Sequence, residues 1–209
     1  GPILNPVEMN IPSKQFLVDR LNKVKGYTEA FKKAFPESDT ALTYWNIQQA
    51  IAAFERTLIT PSKFDDFLNG DNKALTETEL KGLASFANTG CISCHDGSLL
   101  GGTTFQKFGV YVNYWEETKS KTIDNGRFDV TAKENDKYIF KVPSLRNIEK
   151  TAPYFHDGSI DDLNHAVNIM AKVQLNKELD ENEINNIVAF LSTLTSDISD
   201  EQKVAPSAF

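Results

Sequence analysis

The chain has 209 residues, 40% of them hydrophobic and 11% aromatic, and a formal net charge of -7. That much apolar material supports a core without disulfide staples. The acidic balance argues against nucleic acid, which selects a basic face, and no apolar run reaches the length of a membrane span.

The sequence opens Gly1-Pro2 without an initiator methionine or a signal-peptide pattern, so it reads as a processed or truncated product. Ser13 is placed to cap a first helix with Phe16, Leu17, Leu21 and Val24 on one face. Tyr27, Ala30, Phe31 and Ala34 predict a second, stopped near Pro36. A third is the clearest: Ile47, Ile51, Phe54 and Leu58 keep helical spacing until Pro61. The run Thr76-Glu77-Thr78-Glu79 is a capping box opening a helix with Leu80, Leu83 and Phe86 inward, which leads straight into Gly90-Cys91. From Gly97 to Pro143 the periodicity fades, with extended segments expected at 108–114 and 137–142. So long an irregular stretch inside a compact domain usually has something to wrap. Helicity returns over Asp161 to Val173, where Leu163, Ala166, Val167 and Met170 share a face, and again from Asp180, with Ile184, Ile187, Val188 and Leu191 inward. No internal repeat or domain linker is visible.

Both cysteines fall in Gly90-Cys91-Ile92-Ser93-Cys94-His95-Asp96-Gly97, and four readings of that group compete. A structural zinc needs four ligands, and no second Cys/His cluster follows at finger spacing. A thioredoxin-type redox pair needs a βαβ setting, whereas this pattern is helical. A disulfide across two intervening residues is a strained, weak staple. The fourth reading is the C-x-x-C-H attachment of a c-type haem. Two thiols one turn apart can add to the two vinyl groups of one porphyrin, and the next residue then presents its imidazole to the iron. All five motif positions are present and the rivals lack their context, so haem is preferred. It also gives the irregular stretch an edge to line, with Gly101-Gly102 letting backbone approach closely. The expected fold class is all-α: a c-type cytochrome fold with long irregular haem-wrapping loops and at most a short hairpin.

For the other face of the iron the candidates are His156, His165, Met9 and Met170. A thioether there raises the haem potential relative to a second imidazole. Met170 on an apolar helix face is, in isolation, more often core filler. A buried methionine well downstream of the motif is what a His/Met haem needs, and Met170 is the one that fits. His165 falls off the Leu163/Val167 face and reads as a surface residue. His156, in the turn Ala152-Pro153-Tyr154-Phe155-His156-Asp157-Gly158, is placed beside the haem in preference to on its iron.

Three stretches now resemble one family: GPILNPVEMN (1–10), NIQQAIAAFERTLITPSKFDDFLNGDNKALTETELKGLASFANTGCISCHDG (46–97) and KVPSLRNIEKTAPYFHDGSIDDLNHAVNIMAKVQL (141–175). They are similar, in order and over nearly the whole chain, to the electron-accepting half of the bacterial dihaem cytochrome c peroxidases. The resemblance implies an enzyme reducing hydrogen peroxide to water, in which a high-potential His/Met haem passes electrons to a second, peroxide-binding haem. Its electrons come from a small periplasmic donor, a cytochrome c or cupredoxin. It implies two parts: 1–60, a helical segment belonging to or bridging the N-terminal peroxidatic domain, and 61–209, a cytochrome domain with one covalent haem c.

Carried over by position, Cys91 and Cys94 bind that haem, His95 is its proximal ligand and Met170 its distal one. Glu8 matches the acid/base carboxylate over the peroxide-binding haem, and Pro2 a proline of the same pocket. The backbone carbonyls of Thr151 and Pro153 match positions that help hold calcium. His156 matches a histidine near the haem, and Arg146 an arginine suited to a propionate. Periplasmic location and a homodimer follow from the resemblance in the same way. The chain departs from the pattern in lacking the first C-x-x-C-H, which leaves the second haem to a missing N-terminal part. It also has Asn176 where the family has glycine, a residue that tolerates left-handed backbone. The alternatives are a stand-alone monohaem electron carrier, and a dihaem oxidase acting on a protein side chain, whose relatives carry tyrosine at the position of Met170.

Overall fold

A computed structural model describes residues 2–204; Gly1 of the opening motif lies outside them. The described residues are all-α apart from one two-stranded antiparallel sheet. Its described residues divide into two compact units, 2–60 with 197–204, and 61–196. The sequence expectation places 61–209 in the second part.

In the first unit, α1 (Lys14–Asn22) begins where the Ser13 hydroxyl accepts from the Phe16 N–H at 3.0 Å. Val24 does not extend its face, as the sequence suggested, but stands as the N-cap of α2 (Lys25–Ala34). Thr43 caps α3 (Tyr44–Glu55). Phe31, Leu42 and Ile47 form the core of this unit, with Leu17, Val18 and Leu21 of α1 against them. α3 stops short of Leu58, and of its expected stripe only Ile47 is buried. A last helical turn, Asp200–Lys203, follows Ser199.

The second unit starts with α4 (Lys63–Leu68), whose Asp65 reaches back to the Ser62 N–H at 2.7 Å. α5 (Glu77–Thr89) opens on the expected Thr76/Glu79 capping box and ends at Gly90, which is left-handed (φ 107°). Two short helices, α6 (Tyr114–Thr118) and α7 (Phe128–Thr131), interrupt the irregular region. Strands β1 (Phe105–Lys107) and β2 (Ile139–Lys141) pair with Gln106 opposite Phe140.

The segment expected extended at 108–114 is not a strand, and α8 (Leu163–Leu175) supplies the reason. Gln174 Oε1 accepts from the Gly109 and Val110 N–H groups (2.6 and 3.3 Å) while its Nε2 donates to the Lys107 carbonyl (2.9 Å). One side chain thus takes the backbone groups a strand partner would use. α8 is capped by Asp162 and closes on Asn176 in the left-handed region (φ 51°), so asparagine does make the turn there. α9 (Glu181–Ser192) follows the Asp180/Glu183 capping box.

The core sits where α5 crosses α9. Phe86, Ile187, Phe190 and Leu194 are all buried there, with Phe64 edge-on to Phe190 at 5.3 Å. Gly82 makes the crossing close: a Cβ on it would stand 1.8 Å from the Asn186 carbonyl oxygen. The inward set of α9 is Ile187, Phe190 and Leu191, while Ile184 and Val188 are half-buried. A second cluster, Tyr154, Ile160, Ala166, Ile169 and Val173, packs on another side of α8.

Candidate haem-attachment site

The end of α5 dictates the geometry of the cysteine motif. Gly90 leaves the helix in a conformation that other residues rarely adopt, and Cys91–Ser93 then form a single 3-10 turn. The Cys94 and His95 N–H groups both donate to the Cys91 carbonyl, at 3.2 and 3.0 Å. This turn sets the two thiols and the imidazole on one short stretch of tight backbone.

Both thiols are free, and neither is a reactive thiolate. Burial pushes the Cys91 thiol up to about 11. Cys94 is also raised, by burial first and then by the Asp96 carboxylate. A redox pair of thioredoxin type needs the opposite shift. Among the described residues no three His, Cys, Asp or Glu side chains are grouped to hold a metal ion, so the zinc reading finds no ligand set there.

His95 is turned by its surroundings. Its Nδ1 lies 3.2 Å from the Leu100 carbonyl oxygen, which leaves Nε2 as the nitrogen for a metal. Burial lowers its pKa, against the opposing pull of the Leu100 and Pro143 carbonyls, so the ring is neutral at pH 7. A neutral imidazole with one nitrogen engaged and the other free fits an axial haem ligand.

Gly101 is the residue that makes this possible. Its φ is 116°, and a Cβ there would stand 2.2 Å from the Pro143 carbonyl oxygen and 3.1 Å from His95 Nδ1. The close approach expected at Gly101-Gly102 is therefore of backbone to backbone and to the imidazole. Two neutral thiols, a preset imidazole and a glycine-lined wall form a donor set that suits a covalently held haem.

The other candidates fall as follows. Met170 is half-buried on α8, beside buried Ile169 and Ala171. His165 is exposed, in a groove with Asn164 and Asn185. Met9 keeps 60% of its surface in the first unit, and Glu8 beside it is exposed. Thr151 and Pro153 lie in an exposed loop. His156 belongs to an aromatic group, stacked on Phe140 at 4.3 Å and edge-on to Tyr114 at 5.2 Å, with Asp124 at 3.9 Å from Nε2. Tyr114 anchors that group, with its hydroxyl donating to the Asp124 carbonyl (3.1 Å) and accepting from the Asp124 N–H (2.8 Å).

Arg146 is engaged on all five of its N–H donors. Nη1 and Nη2 make a bidentate pair with Asp65 (2.6 and 2.8 Å), Nη1 also reaches the Ser62 hydroxyl (3.0 Å), and Nε and Nη2 share the Ser98 carbonyl (3.0 and 2.8 Å). Asp65 went unnoticed in the sequence, since nothing local ties it to a residue 81 positions away.

The cytochrome c family model matches residues 79–195, and that of di-haem cytochrome c peroxidase matches residues 1–73. The cytochrome c551 peroxidase of Nitrosomonas europaea is 46% identical over 201 residues, covering 96% of this chain and 58% of the relative. That of Pseudomonas aeruginosa is 43% identical over 196 residues, covering 93% and 56%. The chain thus spans a little over half the length of these relatives. Among solved structures, a MauG-like protein associated with microbial copper homeostasis superposes with a TM-score of 0.80 at 27% identity, over 98% of this chain and 71% of that one. With a match that spans the cysteine motif and more than half of its length, the chain belongs to the cytochrome c family, and its first 73 residues are similar to the di-haem cytochrome c peroxidases.

Proposed function

We propose that this chain is the electron-transferring part of a peroxidase that reduces hydrogen peroxide to water with electrons from a small redox protein. The observation that carries this reading is the motif turn, with two neutral thiols and an imidazole whose Nδ1 is already engaged. Cys91 and Cys94 would hold one haem c by thioether bonds, and His95 Nε2 and the Met170 sulfur would be its iron ligands. The group supplies a one-electron carrier whose potential a thioether raises.

The residues of the chain have separate tasks. The Leu100 carbonyl holds the His95 proton at Nδ1 and so fixes the tautomer. The aromatic group around Tyr114 and His156 keeps water from that side of the fold. In the whole protein Glu8 would be the carboxyl that holds and passes a proton during peroxide reduction. The carbonyls of Thr151 and Pro153 would supply at most two of the six to eight oxygens that a calcium ion takes. A periplasmic location, a cytochrome or cupredoxin donor and a homodimer belong to the same reading. Met170, where side-chain oxidases carry tyrosine, favours the peroxidase over that alternative.

The test is reactivity. The haem-loaded chain, fully reduced, is expected to stay reduced when mixed with hydrogen peroxide, yet to be oxidised rapidly by an oxidised small c-type cytochrome. Rapid oxidation by peroxide, with turnover by this chain alone, contradicts an electron-transferring role.

A further inference from the structure

The proximal imidazole depends on a carbonyl held in an unfavourable place. Leu100 accepts the His95 contact at φ 47°, and Gly101 and Gly102 follow at 116° and 85°. A left-handed leucine is strained and persists only where its surroundings over-determine it. Here the surroundings can be named. Arg146 holds the Ser98 carbonyl by two N–H bonds, the Ser144 hydroxyl donates to the Leu99 carbonyl (2.7 Å), and the Leu145 N–H reaches the Leu99 and Leu100 carbonyls (3.3 and 3.2 Å). Arg146 is itself fixed by Asp65 on α4, and α4 is tied to the end of α9 by the Phe64 N–H on the Thr193 carbonyl (3.2 Å).

We propose that Asp65 and Arg146 are positioning residues for the haem iron's proximal ligand: their bidentate pair clamps Ser98–Leu100 so that the Leu100 carbonyl keeps its grip on His95 Nδ1. The clamp acts two residues and one carbonyl away from the imidazole and touches neither thiol. It assigns Arg146 a role inside the protein instead of on a propionate. Its effect on the iron rests on the haem reading above, whereas its effect on the loop does not. Without the clamp, Leu100 relaxes toward ordinary backbone and the Nδ1 hydrogen bond loosens. A less strongly bonded imidazole is a weaker donor, which disfavours the ferric state.

The experiment compares Asp65→Asn and Arg146→Lys with Lys63→Ala. The last removes a different ion pair of α4, to Glu79 at 2.7 Å, and leaves the clamp intact. Two readouts are taken on the full chain: hydrogen exchange of the bonded Leu100, Gly101 and Gly102 amides, and the reduction potential of the haem-loaded protein. Both clamp variants are expected to speed exchange in this loop at least tenfold and to raise the potential, and Lys63→Ala to do neither. If one clamp variant does not fold, the other decides. Unchanged exchange, an equal increase in Lys63→Ala, or faster exchange at an unchanged potential overturns the proposal. A chain that takes up no haem fails the functional reading instead, and the clamp is then judged by exchange alone.

Discussion

In the unit spanning 61–196, helix faces close on one another: Phe86, Ile187, Phe190 and Leu194 each keep 3% of their surface or less. In α3 of the other unit, Trp45 and Phe54 keep 67% and 54%. Both regions carry apolar residues at helical spacing. They differ in what faces them. Gly82 lets α9 come within a backbone's reach of α5, and Phe64 and Leu75 fill the remaining space. In α3, Ile47 alone meets the Phe31/Leu42 core. An apolar stripe therefore states what a helix can bury, and the placement of its neighbours decides what it does bury.

The same truncation in the two regions tests that contrast. Phe190→Ala is expected to cost about 3–5 kcal/mol, because it opens a cavity in a closed core. Gly82→Ala follows at about 3 kcal/mol, since its Cβ cannot fit unless α5 and α9 separate. Urea unfolding midpoints measure both. The Asp65 clamp comes next. The Arg146 guanidinium beside Asp65 lowers its pKa from 3.8 to about 2. A carboxylate with a depressed folded-state pKa stabilises above the unfolded value and loses that contribution on acidification. The chain should therefore lose about 1–2 kcal/mol between pH 4 and pH 2, discounted for the partial exposure of Asp65. Asp65→Asn should flatten that limb of the pH profile. Phe54→Ala in α3 is the smallest, within about 0.5 kcal/mol; a loss near that of Phe190→Ala breaks the contrast.

Local chemistry explains which features were legible in the sequence. The capping residues Ser13, Thr76 and Asp180 all act within a turn of themselves, and each begins a helix where expected. The cysteine motif is equally local, and Gly90 shapes it from one position away. What the sequence concealed is long-range. Gly82 resembles any glycine in a helix until Asn186 is placed opposite it. The stretch at 108–114 has the composition of a strand, but Gln174 of α8 takes its backbone groups. Phe190 is not legible in the sequence because the buried face of α9 carries Ile187, Phe190 and Leu191 and leaves Ile184 half-buried. The family resemblance did reach Arg146 but not its partner, since Asp65 declares itself only through the fold.

The central claim is that Cys91 and Cys94 carry one haem c with His95 at its iron, and covalent mass tests it most directly. Exported and matured with a cytochrome c assembly system, the chain should gain the mass of one haem that survives denaturation. Its pyridine spectrum should be that of two thioether links, reduced to one link in Cys91→Ala or Cys94→Ala. A colourless product of unmodified mass, or a haem that dissociates on unfolding, contradicts the account.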